Sequence, residues 1–238
     1  HHPELGEIGP ARFVPIAEET GHIVNIGRWV LDQACAHAAQ WPEALGIAIN
    51  LSPAQFDDPG LVEDIAAALD RHGIAPQRLE LEITERLFLA DKPVIVEMLA
   101  RLRALGVRIA LDDFGTGYSA LGYLHRGAFS RIKIDRSFIA RAREPDSEAG
   151  KIIQAIVRLA GSLDMLTTAE GTETRAEFEL CRALGCEQVQ GYLFGRPMAP
   201  EAATSLAHQA ASQPAQARSS VCALSLIHIS EPTRQAEI

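Results

Sequence analysis

Two aspartates stand side by side at positions 112 and 113, within the stretch "GVRIALDDFGTGYSAL" of residues 106–121. They follow an apolar run and precede a glycine-rich loop. Carboxylates that close repel each other, and burial would drive one of them to take up a proton. A cation must stand against them, or they must point into water. Other polar groups recur in the same setting, at or near the end of an apolar run. They are Asn50 in "GIAINL", Glu82 in "RLELEIT", Lys133 in "RIKID", Glu170 in "MLTTAE" and Gln190 in "EQVQG". The oxygen donors, with no His or Cys among them, suit Mg2+ or Mn2+ better than zinc. Two such ions sharing a carboxylate would keep Asp112 and Asp113 ionised. Metals bridged in this way, roughly 3.5–4 Å apart, are the usual apparatus for displacement at phosphorus. Taken singly, each residue has a plainer reading. Asp113 could cap a turn, and Asn50 could cap the next segment. Glu82 and Lys133 could be solvent-facing strand residues, and Glu170 a turn residue. The recurrence at successive strand ends weighs against those readings.

The runs that carry these groups read as strands at 46–51, 78–84, 107–112, 131–135, 165–170 and 187–191. Helical patterns lie between them at 60–72, 93–105, 148–162 and 173–184, with an earlier helix at 28–40. In "RHGI", "ALGV" and "ALGC" a glycine stands just past a helix end, where the chain turns left-handed. Strand and helix alternating through short loops predict an α/β fold with parallel strands and right-handed crossovers. A barrel and an open doubly wound sheet both satisfy the pattern. No GxGxxG follows a strand, so nothing points to a dinucleotide fold. In a parallel β/α barrel every strand opens its carboxyl end onto one face, and that face carries the chemistry.

Composition narrows the ligand. The chain has 238 residues, 47% of them hydrophobic and 22% charged, enough for one globular domain with a sizeable core. Its net charge of -9 gives no long-range attraction for DNA or RNA, so an anionic ligand needs local groups or metals. Cys35, Cys181, Cys186 and Cys222 form no CxxC pair and read as reduced thiols. No apolar run approaches the ~20 residues of a membrane span, and no membrane contact is expected of this segment.

The strings "NLSP", "ELEITE", "LDDFGTGYSAL", "IKID", "AEGTET" and "QVQGYLFGRPM" occur in that order. They resemble the successive motifs of the EAL-domain family, bacterial phosphodiesterases of cyclic di-GMP, and the resemblance runs from the first residues to about Pro200. It implies an EAL-type modified TIM (β/α) barrel with one antiparallel strand. It also implies that Asn50, Glu82 and Asp112 bind a first divalent metal, Mg2+ or Mn2+. Asp112 would bridge to a second metal held by Asp113 and Glu170. Lys133 would position the attacking water or stabilise charge on the phosphate, and Lys133 or Glu170 would take part in proton transfer. Gln190 would contact the substrate. Glu85 would hold the loop 114–119, which contains Thr116, in its working shape, and Glu173 would be a further supporting residue. The implied reaction opens one phosphodiester of cyclic di-GMP to give linear pGpG. An alternative from another class is a catalytically inactive receptor for cyclic di-GMP or a protein-interaction module. Retention of the ligand residues and the glycine loop favours the enzyme. An unrelated metal-dependent barrel would leave the order of the motifs unexplained.

The family's Glu-Ala-Leu motif belongs just upstream of the "HPELG" turn, where this chain begins. The string "WPEALG" does contain Glu43, Ala44 and Leu45, but it follows the "FVPIAEETG" segment and reads as a connecting loop. The expectation is therefore a domain over residues 1–207 that is truncated at its amino end and lacks two strands. Such a piece would expose raw sheet edges, and its complete parent would be active where the fragment is not. Residues 208–238 read as a linker-like, artefactual tail, in which 224–234 resemble the translation of a transposase adapter used in sequencing libraries. The resemblance further implies a bacterial cytoplasmic setting and a parent carrying sensor or GGDEF modules, and it allows a homodimer and an upstream membrane anchor.

Overall fold

Side-chain alternation along the strands organises the molecule. A computed structural model describes residues 6, 8–90, 92–115, 121–124, 128–142 and 144–212. The chain opens with helices α1 (Pro10–Glu19) and α2 (Ile23–Ala38). Strand β1 (Ile47–Asn50) leads through α3 (Leu61–His72) to β2 (Leu79–Thr84), and α4 (Pro93–Leu105) leads to β3 (Arg108–Phe114). Then come α5 (Leu121–Leu124), β4 (Arg131–Ile134), α6 (Arg136–Arg141), α7 (Glu148–Ser162) and β5 (Leu166–Ala169). The described chain ends with α8 (Arg175–Ala183), β6 (Gln188–Val189) and α9 (Pro200–Ser212).

The six strands pair in sequence order, and every pairing is parallel. Each strand-to-strand connection carries at least one helix, as a parallel ladder requires. Among the described residues the sheet is open between β1 and β6, and none of its strands is the antiparallel one that the family resemblance implies. The expected strands and helices all occur, with shifted ends. Helix α2 begins at Ile23 rather than 28 and runs through Gly27, a poor helix former. Tertiary packing outweighs that propensity, because the Gln55 side chain fills the space a Cβ at Gly27 would occupy. Helix α9 runs to Ser212, past residue 207. It docks Ala203 and Ala207 into the core, and Trp41 donates its indole N–H to Thr204 Oγ1 at 3.0 Å.

Local chemistry sets the helix ends. Helix α3 places Glu63 and Asp64 in its first turn and Arg71 and His72 in its last, matching the helix dipole. The Ser147 hydroxyl caps α7 by accepting the Gly150 N–H at 3.1 Å. Thr174 and Glu177 form a reciprocal capping box on α8. Gly106 ends α4 at φ 94°, a left-handed turn that costs glycine nothing and points the chain into β3.

Alternation divides each strand into two sets. Ile47, Ile49, Leu79, Leu81, Ile83, Ile109, Leu111, Ile132, Ile134 and Val189 belong to the apolar core shared with the helices. The opposite set is Ala48 and Asn50, Glu80 and Glu82, Ala110 and Asp112, Arg131 and Lys133, then Thr168 and Gln188. Strands β2 and β4 flank β3 and so stand roughly 10 Å apart. Yet Lys133 Nζ on β4 meets Glu82 Oε2 on β2 at 2.7 Å. The second set therefore lines a concave face, as in a portion of an α/β barrel.

Candidate metal centre

Lys133 is the hub of that face. The residue is 1% exposed, and Nζ lies 2.7 Å from Glu82 Oε2, 2.6 Å from Glu170 Oε1 and 3.1 Å from Asp112 Oδ1. Burial alone would lower the lysine pKa, but the three facing carboxyl groups outweigh it and hold Lys133 protonated, well above its ordinary value. Glu82 is raised above the usual carboxylate range, first by burial and then by Asp112, with Lys133 only partly offsetting both. Glu170 is pushed up to about 8, first by burial and then by repulsion from Asp112.

The adjacent aspartates find their explanation in the backbone. Successive strand residues normally point to opposite faces. Here the β3–β4 register shifts between Leu111 and Phe114, and Asp113 adopts φ 54°. An extra residue in the ladder re-aims a side chain, and aspartate tolerates the left-handed region better than most residues. Asp112, Asp113 and Glu170 consequently each offer an oxygen within 4.8 Å of the others'. Strand β3 thus runs through both aspartates to Phe114 instead of ending at them.

The donor set fits a divalent cation. Three carboxyl groups, from Glu82, Asp112 and Glu170, face a single ammonium, and Asp113 brings a fourth to the cluster. Asp112 Oδ1 is buried, and its ion pair with Lys133 at 3.1 Å lacks hydrogen-bond geometry. An all-oxygen set with surplus negative charge is what hard cations take.

Other residues singled out in the sequence fall around this centre. Asn50 ends β1 in register with Glu82, on the concave face. Gln190 follows β6; its N–H donates to the Ala169 carbonyl at 2.8 Å, and its carbonyl accepts the Thr172 N–H at 3.1 Å. Gly191 next to it lets the Thr172 backbone approach, since a Cβ there would stand 2.1 Å from the Thr172 oxygen. Glu85 is buried at the start of the 3-10 turn Glu85–Ala90, directly after β2. Glu173 is exposed, and its N–H is accepted by the Glu177 carboxylate that caps α8. Thr116, most of the loop 114–119, Cys222 and the segment 213–238 lie outside the described residues. Glu43 is exposed in the loop between α2 and β1, away from the strand ends that hold the carboxyl cluster.

Sequence reasoning missed a second polar layer. Glu80, Arg131, Thr168 and Gln188 stand two residues before Glu82, Lys133, Glu170 and Gln190, and therefore on the same face. The repeated patterns Glu-Leu-Glu, Arg-Ile-Lys, Thr-Ala-Glu and Gln-Val-Gln carry that signal.

The family model described as "EAL domain" matches residues 1–197. The chain belongs to the EAL domain family. Among its relatives, the bifunctional diguanylate cyclase/cyclic di-GMP phosphodiesterase MucR of Pseudomonas aeruginosa is 46% identical over 204 residues, covering 84% of this chain and 30% of MucR. The cyclic di-GMP phosphodiesterase PA2567 of the same organism is 40% identical over 203 residues, covering 84% of this chain and 34% of that protein. The structure of the MucR phosphodiesterase in complex with cyclic di-GMP superposes with a TM-score of 0.78 at 46% identity, covering 85% of this chain and 83% of that one. This EAL domain spans about a quarter to a third of the curated relatives it matches. No described helix is long and apolar enough to cross a membrane.

Proposed function

We propose that this EAL domain hydrolyses one phosphodiester of cyclic di-GMP, giving linear pGpG. The observation that carries the reading is the carboxyl cluster of Asp112, Asp113 and Glu170 around a buried Lys133, on a chain of this family. The names of MucR and PA2567, and the nucleotide bound in the MucR structure, point the same way.

In this reading Asp112, Asp113 and Glu170 hold one Mg2+ or Mn2+, and Asn50 and Glu82 with Asp112 hold another. When bound, such cations lower the pKa of a water and neutralise charge building on the phosphate. The chain's own groups do the rest. Lys133, held as an ammonium by its three partners, keeps Glu82, Asp112 and Glu170 converged and adds positive charge beneath the reacting phosphate. Lys133 or Glu170, paired at 2.6 Å, takes part in the proton transfer. Gln190, fixed by backbone bonds to Ala169 and Thr172, contacts the nucleotide. Glu85 braces the turn after β2 and the loop that contains Thr116, and Glu173 supports the start of α8. A bacterial cytoplasmic location, a homodimer, and sensor or GGDEF modules elsewhere in a longer parent belong to the same reading. So does a domain boundary near 207.

The test is pGpG formation from cyclic di-GMP with Mg2+ or Mn2+, followed chromatographically. It uses this chain and the chain extended by the amino-terminal barrel segment that the resemblance implies. Turnover that Asp113→Asn abolishes while nucleotide binding survives supports the enzyme. Nucleotide binding without turnover by the folded, extended chain makes the domain a receptor instead.

A further inference from the structure

Beneath the proposed centre a second charge is buried. Arg131, 5% exposed, is the first residue of β4, two residues before Lys133. Its Nε donates to Glu80 Oε2 on β2 at 2.9 Å. Its Nη1 donates to Thr168 Oγ1 on β5 at 2.9 Å and to Gln188 Oε1 on β6 at 2.6 Å. One guanidinium thus joins four strands. Each of its contacts, and Arg131 itself, precedes a residue of the proposed centre by two positions: Glu82, Lys133, Glu170 and Gln190. Two positions along a strand is roughly 6.6 Å on the same face, so the network forms the floor on which the centre stands.

We infer that Arg131 is a positioning residue, whose fork sets the relative heights of the strand ends that carry Glu82, Lys133, Glu170 and Gln190. Three observations support it. Strand β3 places Ala110, with only a methyl, in register with Arg131, and Arg108 in register with Glu80, so the Arg131 side chain crosses β3 beside the alanine. Strand β6 is two residues long with two register pairs, and the side-chain contacts of Glu187 with Thr167 and of Gln188 with Arg131 add to what holds it. The rigid guanidinium serves three acceptors on three strands at fixed angles, which a lysine ammonium on a flexible stem cannot reproduce. Buried ionic groups of this kind add little net stability, but removing one partner disturbs the others.

The positional half of the inference stands on its own geometry, and the functional half rests on the proposed phosphodiesterase site. The experiment separates them. Amide hydrogen exchange is measured on this chain and on Arg131→Lys and Gln188→Ala. The probes are the Gln190, Glu170 and Leu51 amides, which bond to Ala169, Ile134 and Glu82, with Ile153 in the buried core of α7 as reference. Arg131→Lys is expected to speed exchange at Gln190 and Glu170 by about tenfold beyond any change at Ile153, and Gln188→Ala to do so at Gln190 alone. In the same variants of the chain that turns over cyclic di-GMP, Gln188→Ala raises KM several-fold with little change in kcat, whereas Arg131→Lys lowers kcat. Exchange that rises only in step with Ile153, or kinetics that stay within about twofold of wild type while the local amides open, overturns the positioning role. If Arg131→Lys does not fold, Gln188→Ala decides. If no form of the wild-type chain turns over, the phosphodiesterase reading fails, and the exchange result alone judges Arg131.

Discussion

Lys133 has to satisfy more carboxyl groups than its single charge can neutralise, and that imbalance governs the chemistry of the centre. Lys133→Met leaves Glu82, Asp112 and Glu170 facing one another around an apolar side chain. Breaking a buried charge network in this way costs about 3–5 kcal/mol. Urea denaturation at pH 7 should show that loss, and the loss should shrink near pH 5, where the carboxyls take up protons. The wild-type protein titrates in the same sense. Glu170 is raised to about 8 in the folded state, so without metal the fold binds a proton there that the unfolded chain has released. Its contribution to stability is full below the ordinary carboxylate range and is lost as pH rises through about 8. A cation bound at Glu170 must displace that proton, so metal affinity should rise over the same window. Thermal shifts with Mn2+ at pH 6 and pH 8 check this, with the larger shift expected at pH 8. Equal shifts would show that cation binding displaces no proton at Glu170 over this window.

At the scale of elements, the site depends on three backbone devices. The irregularity in β3 re-aims Asp113, the glycine at 191 seats Thr172 beside β6, and the short β6 places Gln190. Gly191→Ala would drive a Cβ into the Thr172 backbone and force the two loops apart. The expected cost is about 1–3 kcal/mol, as for other overpacked sites. It should appear in the denaturation midpoint and be accompanied by weaker nucleotide binding. Helix α9 depends on a polar clasp. Thr204→Val deprives the buried Trp41 indole N–H of its acceptor and should cost about 1–3 kcal/mol without changing metal affinity. A Thr204→Val protein with wild-type stability would show that apolar packing of Ala203 and Ala207 is enough to hold the helix.

At the scale of the molecule, one hydrophobic cluster runs from α2 through every strand to α9. Elements that share a core unfold together. Far-ultraviolet circular dichroism reports all the helices, while the change in tryptophan fluorescence on unfolding is weighted toward the buried Trp41 at the α9 contact, since Trp29 is already exposed. The two urea transitions should coincide. An earlier fluorescence transition would mean that α9 detaches as a separate unit. The acidic surface, with a net charge of -9, sets the scale of ligand choice. A polyanion is repelled at long range, so in the proposed reading an anionic ligand is captured locally, with cations held among the carboxyls.

Much of this was legible in the residues. Short apolar runs mark all six strands, and amphipathic spacing, with a glycine past three of the helix ends, marks the main helices. The polar residue closing each apolar run picks out Asn50, Glu82, Asp112, Lys133, Glu170 and Gln190, which the structure puts on one concave face or at its rim. Local pattern can do this because the strand period decides which side chains share a face. It cannot say how sharply the sheet curls. Curvature alone brings Lys133 of β4 to Glu82 of β2 across an intervening strand, and lets Arg131 reach from β2 to β6. Nor does a string of letters reveal that an extra residue in the β3–β4 ladder turns Asp113 toward Glu170. Composition and spacing thus determined the elements and which polar side chains share a face. The tertiary structure decided which charges meet, because contact between non-adjacent strands depends on the bend of the whole sheet and not on any single segment.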